Sequence, residues 1–271
     1  MRSAVTLCLA AEAARGPFVF HGGLADGVHR AAELGFDAVE VFPGAAADVP
    51  EAEVSRLLAA HGVRLAAVGT GAGWVRHRWH VCHADAAIRA AAREFIVAIV
   101  DAAGGCGAPA IVGSMQGAWD ADVPRHTALD MLADALHELG ARAARHGQVL
   151  LYEPLNRYET NLLNRQADAA EFLRDRGIAG VKLLCDLFHM NLEEADMAAA
   201  LAGCGELVGH VHWADSNRRA MGLGHTDPEP IVSALQSIGY RGYLSAEVFP
   251  LPTPDDAARA TIESLRTCTT G

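Results

Sequence analysis

Two periodicities alternate along the chain. Short runs rich in β-branched and apolar residues occur at 5–9 (VTLCL), 37–42 (DAVEVF), 63–69 (VRLAAVG), 108–113 (APAIVG), 148–153 (QVLLYE), 181–186 (VKLLCD), 207–213 (LVGHVHW) and 243–249 (YLSAEVF). The segments between them are rich in alanine and place apolar residues three and four apart, as in LADGVHRAAELG, AAIRAAAREFIVAIVDAAG, ALDMLADALHELGARAARHG and PIVSALQSIG. The first pattern predicts strands and the second predicts helices with one apolar face. Several helical segments end at glycine (ELGF, RHGQ, SIGY), the residue that most easily closes a helix before a following strand.

Eight strand–helix units in 271 residues match the size of a (β/α)₈ TIM barrel, an α/β fold, with residues 1–271 as a single domain. The competing doubly wound open sheet normally carries G-x-G-x-x-G after its first strand, and no such motif follows VTLCL. There is no linker, low-complexity segment or charge block to divide the chain.

Composition narrows the functional classes. Lys+Arg is 22 against Asp+Glu 33, a net charge of -11 that repels nucleic-acid backbones and anionic lipid surfaces. Neither nucleic acid nor membrane is therefore an expected partner. Lys182 is the only lysine, and because it opens VKLLCD it is predicted to sit at the opposite end of its strand from the carboxylates discussed below. That placement argues against Schiff-base chemistry. Cys8, Cys82, Cys106, Cys185, Cys204 and Cys268 show no C-x-x-C spacing and read as buried thiols of a reducing compartment, with the cytoplasm as the expected location. No stretch is long and apolar enough to cross a bilayer. The opening MRSAVTLCLAAEAARG has some features of a signal peptide, but its apolar run is short and reads better as the first core strand.

The candidate chemistry lies at the C-terminal ends of the last four strands. Glu153 closes QVLLYE, Asp186 closes VKLLCD, His212 ends LVGHVH and Glu247 ends YLSAE. In a parallel barrel these ends meet at the mouth where such barrels hold their active sites. Three carboxylates that close cannot all remain ionised without a compensating charge, and a divalent cation supplies one. Oxygen donors with a single imidazole suit Mn²⁺, Mg²⁺ or Co²⁺. Taken singly, each carboxylate reads more readily as a helix cap and the histidine as a hydrogen-bonded core residue. Their recurrence at the same point of four consecutive units favours the joint reading. Glu159, in the loop after Glu153, and His189, three residues after Asp186, are placed to face the same pocket; the alternative for His189 is a cap on a helix starting near Asn191. Arg218 could hold a substrate oxygen, with Gly222 and Gly224 letting its loop bend, whereas Arg219 reads as a surface charge.

The motifs EPLNRYETNLLN, DLFHMN, GHVHWADSNRRAMGLGHTD and SAEV resemble the sugar isomerase/epimerase superfamily of xylose-isomerase-like TIM barrels, and within it the D-tagatose/D-psicose (allulose) 3-epimerase group. The resemblance is specific over residues 148–249 and looser in the N-terminal half. It implies a metal, usually Mn²⁺, on Glu153, Asp186, His212 and Glu247, and a sugar contacted by Glu159, His189 and Arg218. It also implies epimerisation of a free ketose through a metal-bound enediolate, with Glu153 and Glu247 exchanging the proton as acid and base. The alternatives are an isomerase of another hydroxy-carbonyl compound, of hydroxypyruvate or keto-inositol type, and a C-glycoside-cleaving lyase of the same superfamily, a reading that leaves the need for a partner subunit open. The loops AAEAARGPF, GAGWVRHRWH and SMQGAW differ from those of the ketose epimerases, which leaves the sugar open. No lysine-bearing phosphate loop follows the eighth run, which argues against a phosphorylated sugar. A homo-oligomer, dimer or tetramer, is compatible with the resemblance.

Overall fold

The computed structural model describes residues 1–269. Eight parallel strands close into a barrel in sequential order: β1 (Arg2–Cys8), β2 (Ala38–Phe42), β3 (Arg64–Gly69), β4 (Ala110–Val112), β5 (Leu150–Tyr152), β6 (Val181–Asp186), β7 (Val208–His212) and β8 (Tyr243–Ala246). Closure is made by β1 and β8, with Arg2 opposite Tyr243 and Val5 opposite Ala246. The signal-like opening is thus a staff of the barrel, hydrogen-bonded on one side to β8 and on the other to β2.

One long helix follows each strand: Leu24–Leu34, Glu51–His61, Ala86–Gly105, Arg125–Ala144, Gln166–Asp175, Met197–Cys204, Pro228–Ser237 and Pro254–Thr269. Their apolar faces pack on the barrel through a continuous layer that includes Val28, Ile96, Leu136, Leu139 and Leu235. Each fully buried Leu or Ile in that layer stabilises the fold by roughly 1.5–3 kcal/mol. Tertiary burial of this kind, more than intrinsic propensity, holds helices of such lengths. The helix Leu24–Leu34 stops at Gly35, whose φ of 84° lies in the left-handed region and whose N–H donates to the Ala31 and Ala32 carbonyls.

The strands differ from the sequence reading mainly at their ends. β5 is shorter than 148–153, because Pro154 has no N–H to extend the ladder after Glu153 donates to the Val112 carbonyl at 3.0 Å. β8 stops at Ala246 and not at 249, because the Glu247 N–H turns back to the Ser245 carbonyl at 3.1 Å. Two short helices that the pattern did not predict, Ala72–His77 and Leu187–Glu193, lie directly after β3 and β6 at the mouth. All six cysteines are free thiols. Among the described residues, no helix is long and apolar enough to cross a membrane.

Candidate metal centre

Glu153 follows β5 directly, Asp186 and His212 are the last residues of β6 and β7, and Glu247 follows β8. Barrel closure brings the four together, so that one donor atom from each lies within 4.8 Å of the others. Asp186 is fully buried and its two oxygens face different ways. Oδ1 accepts from the Phe188 N–H at 2.7 Å and caps the helix Leu187–Glu193, while Oδ2 lies 3.2 Å from His212 Nδ1. The cap and the polar centre are therefore the work of one residue. His212 Nδ1 is also 3.6 Å from Glu153 Oε1 and 3.6 Å from Glu247 Oε2.

Glu153 has space for its carboxylate only because residue 113 is glycine. A Cβ there would lie 2.4 Å from Glu153 Oε2. The other oxygen, Oε1, is buried and accepts no hydrogen bond within the protein. A buried carboxylate oxygen without a donor costs free energy unless something else satisfies it, and a bound cation would do so. The donor set, three carboxylates and one imidazole with one bare oxygen, fits a divalent cation.

The electrostatics of the protein alone agree with that fit. Burial, together with the neighbouring charges of Glu153 and Asp186, pushes Glu247 up to about 7 against the pull of His212 and Arg218. Burial would also raise Asp186, but His189, His212 and Arg218 hold it well below the usual carboxylate range. For His212, burial favours the neutral ring and is outweighed by Glu40, Glu247, Asp186 and Glu153, which hold its pKa well above the ordinary value. In the protein alone, a proton on His212 thus supplies positive charge that a cation would bring.

Two further side chains foreseen in the sequence close over this group. Arg218 donates from Nη2 to Glu247 Oε2 at 2.6 Å, and its Nη1 lies 3.6 Å from Glu159 Oε1. Its guanidinium also stacks over the Phe188 ring at 4.8 Å. His189 is 1% exposed and lies inside the helix that begins at Leu187, so it does not cap a later one. Its Nε2 faces Glu153 Oε1 at 3.7 Å and Asp186 Oδ2 at 3.8 Å and has no hydrogen-bond partner.

The tautomer of His189 follows from a residue that sequence reading passed over. Asn156 Oδ1 accepts from the Tyr158 N–H at 2.9 Å, which turns its amide nitrogen toward His189 Nδ1 at 2.7 Å and Glu159 Oε1 at 3.1 Å. His189 Nδ1 is then the acceptor, and Nε2 carries the proton that points at the centre. Glu40 and His210 were also missed. Both are buried, and Glu40 Oε2 lies 2.8 Å from His210 Nε2 while Oε1 lies 3.0 Å from His212 Nε2. The signal available was an acidic residue in the middle of the apolar run DAVEVF and the second histidine of HVH.

A cavity of about 340 Å³ opens above the four residues. Its outer wall comes from the first three strand ends and their loops, with Phe18, Phe42, Trp74 and Val75, and Glu12 sits at the rim paired with Arg76 at 2.9 Å. Lys182 lines a separate cavity with Glu206 and Tyr240, near the start of β6 and away from the mouth.

Over residues 28–268 the chain matches the xylose isomerase-like TIM barrel family. It is 30% identical to a D-psicose 3-epimerase of Agrobacterium fabrum over 82% of this chain and 78% of that protein. A ketose 3-epimerase of Arthrobacter globiformis is 31% identical over 84% of this chain and 78% of the other. A 3-dehydro-D-guloside 4-epimerase of Escherichia coli is 37% identical, but over only 51% of this chain and 53% of that protein. Among solved structures, a 3-keto-D-glucoside 4-epimerase from E. coli superposes with a TM-score of 0.83 at 25% identity, covering 99% of this chain and 100% of that one. The relatives that align along most of its length are carbohydrate epimerases, and the chain belongs to the xylose isomerase-like TIM barrel family.

Proposed function

We propose that the protein is a divalent-metal-dependent carbohydrate epimerase, with a free ketose inverted at C3 as its reaction. The observation that carries this reading is the convergence of Glu153, Asp186, His212 and Glu247 around the bare Oε1 of Glu153. These four would hold the cation, Mn²⁺ before Mg²⁺ or Co²⁺. A cation in that position supplies Lewis acidity toward the ketone oxygen and so acidifies the neighbouring C–H.

The residues of the chain do the rest. His189 Nε2–H and the Arg218 guanidinium donate to the substrate oxygens on which negative charge develops. Glu159, tied to Asn156, accepts from a hydroxyl of the sugar. Glu153 and Glu247 stand on strands three places apart in the ring and approach the substrate from different sides. One removes the proton and the other returns one to the opposite face of the same carbon, which is inversion.

A second reading, inversion at C4 of a 3-dehydro glycoside, uses the same proton exchange next to a ketone. It is favoured by the 37% match to the 3-dehydro-D-guloside 4-epimerase and by the wall of Phe18, Phe42 and Trp74, whose ring faces could pack against an aglycone or second ring. The test is to incubate Mn²⁺-loaded protein in D₂O with D-fructose, D-psicose, D-tagatose and a 3-dehydroglucoside, and to follow deuterium by NMR. Label at C3 of a ketose supports the first reading, and label only at C4 of the glycoside supports the second. The absence of label in all four overturns both.

A further inference from the structure

Glu40 lies on β2, while the two histidines it touches lie on β7; β8 and β1 stand between those strands in the ring. The contacts therefore cross the barrel interior. His210 and His212 alternate along one strand and so project to the same side of the sheet, where Glu40 meets both. Oε2 lies 2.8 Å from His210 Nε2 and Oε1 lies 3.0 Å from His212 Nε2. A carboxylate has only acceptors, so both bonds run from Nε2–H to oxygen. With Nε2 committed to Glu40, His212 turns Nδ1 toward Asp186, Glu153 and Glu247.

We propose that Glu40 is a positioning residue of the centre: it fixes the tautomer and orientation in which His212 offers Nδ1 to the cation, and His210 holds Glu40 in place. This rests on reading the four strand-end residues as a cation site. A metal-ligating histidine ordinarily gives its other N–H to a carboxylate or carbonyl, and that outer partner governs affinity for the ion. Glu40, His210 and His212 also lie close enough together to hold a second ion. Their contacts have hydrogen-bond lengths, one histidine nitrogen to each carboxylate oxygen, so protons occupy the places where such an ion would need lone pairs.

The test is calorimetric titration of the chelator-stripped chain with Mn²⁺, comparing the parent with Glu40→Gln and Glu40→Leu. The parent should bind one equivalent. Glu40→Gln, which keeps shape and one acceptor but loses the charge, should bind about 10-fold more weakly, and Glu40→Leu about 100-fold more weakly. Circular dichroism and the melting temperature of the stripped proteins show which variants are folded, and if Glu40→Leu is not, Glu40→Gln decides. Folded variants that bind within twofold of the parent would overturn the role given to Glu40 and leave the cation site standing. Two equivalents bound to the parent would overturn it in favour of a second ion. A parent that binds none would remove the cation site itself, and this proposal with it.

Discussion

Asp186 shows why the polar residues at the mouth were readable while their partners were not. A carboxylate at a strand end that also begins a helix has one oxygen engaged by the first amides, here the Phe188 N–H, and one left over. The sequence pattern announced the strand end, and barrel topology brought that leftover oxygen beside those of Glu153 and Glu247. Glu40 lay beyond such reasoning, because a single acid inside DAVEVF differs from a core position only once the opposite strand is known. Asn156 was hidden for a different reason: its role depends on which way its amide is turned, and a backbone N–H two residues on decides that. At this scale the assignment of the two glutamates is open to direct test. Glu153→Gln and Glu247→Gln keep the size of the side chain and remove the proton acceptor. Each should lower kcat for solvent deuterium exchange by roughly 10²–10⁴-fold, the usual worth of a positioned acid or base. Rates normalised to the metal content of each preparation separate lost proton transfer from lost ion.

The loop after β7 is dense in polar residues, with Asp215, Ser216, Asn217, Arg218, Arg219, His225 and Thr226 within twelve positions. In the fold much of that polarity is spent on the loop itself. Asp215 is fully buried and its carboxylate accepts the N–H groups of Ser216, Gly222, Gly224 and Thr226 at 2.7, 2.8, 2.8 and 3.0 Å. This knot forces the turn in which Arg218 adopts a left-handed φ of 59°, a strained choice for a residue with a Cβ. It also lets the Arg218 carbonyl accept from the Phe249 N–H at 2.8 Å, tying the loops after β7 and β8 together. Burial would raise the Asp215 carboxyl, but the four amides outweigh it and hold the group at about 2, below its ordinary 3.8. A depressed acid stabilises the fold above its ordinary pKa and loses that contribution as pH falls through the folded value. The parent should therefore lose melting temperature between about pH 4 and pH 2 more steeply than Asp215→Asn, whose amide does not titrate. Parallel melting curves across that range check it, and identical slopes would deny Asp215 the part given to it. The glycines of this loop were legible as bends, but the carboxylate that gathers their amides was not, because its partners lie up to eleven residues away in sequence.

For the whole molecule, strand number, strand order and the helical layer followed from two alternating periods, since a closed parallel barrel has only one economical way to arrange eight such units. Strand lengths did not follow, because Pro154 and the turn at Glu247 end their strands by hydrogen-bond arithmetic that a run of apolar residues does not record. The folded centre gathers carboxylates in an already acidic chain, and the unfolded chain disperses them. An ion that binds only the folded arrangement then stabilises it by mass action, by about 2.7 kcal/mol at a hundredfold excess over Kd. For a chain of this size that raises the melting temperature by roughly 5–10 °C. Adding Mn²⁺ to chelator-stripped protein should show the rise in a thermal scan, and Asp186→Asn should abolish most of it.

The proposed cation site draws its donors from β5 to β8, while most of the aromatic wall that meets the rest of a ligand stands on β1 to β3 and their loops. Shape recognition and the proposed cation chemistry thus rest on different halves of the chain. Glu40 crosses that division: it reaches from β2 to His212 on β7, and any remodelling of the wall has to be built around it.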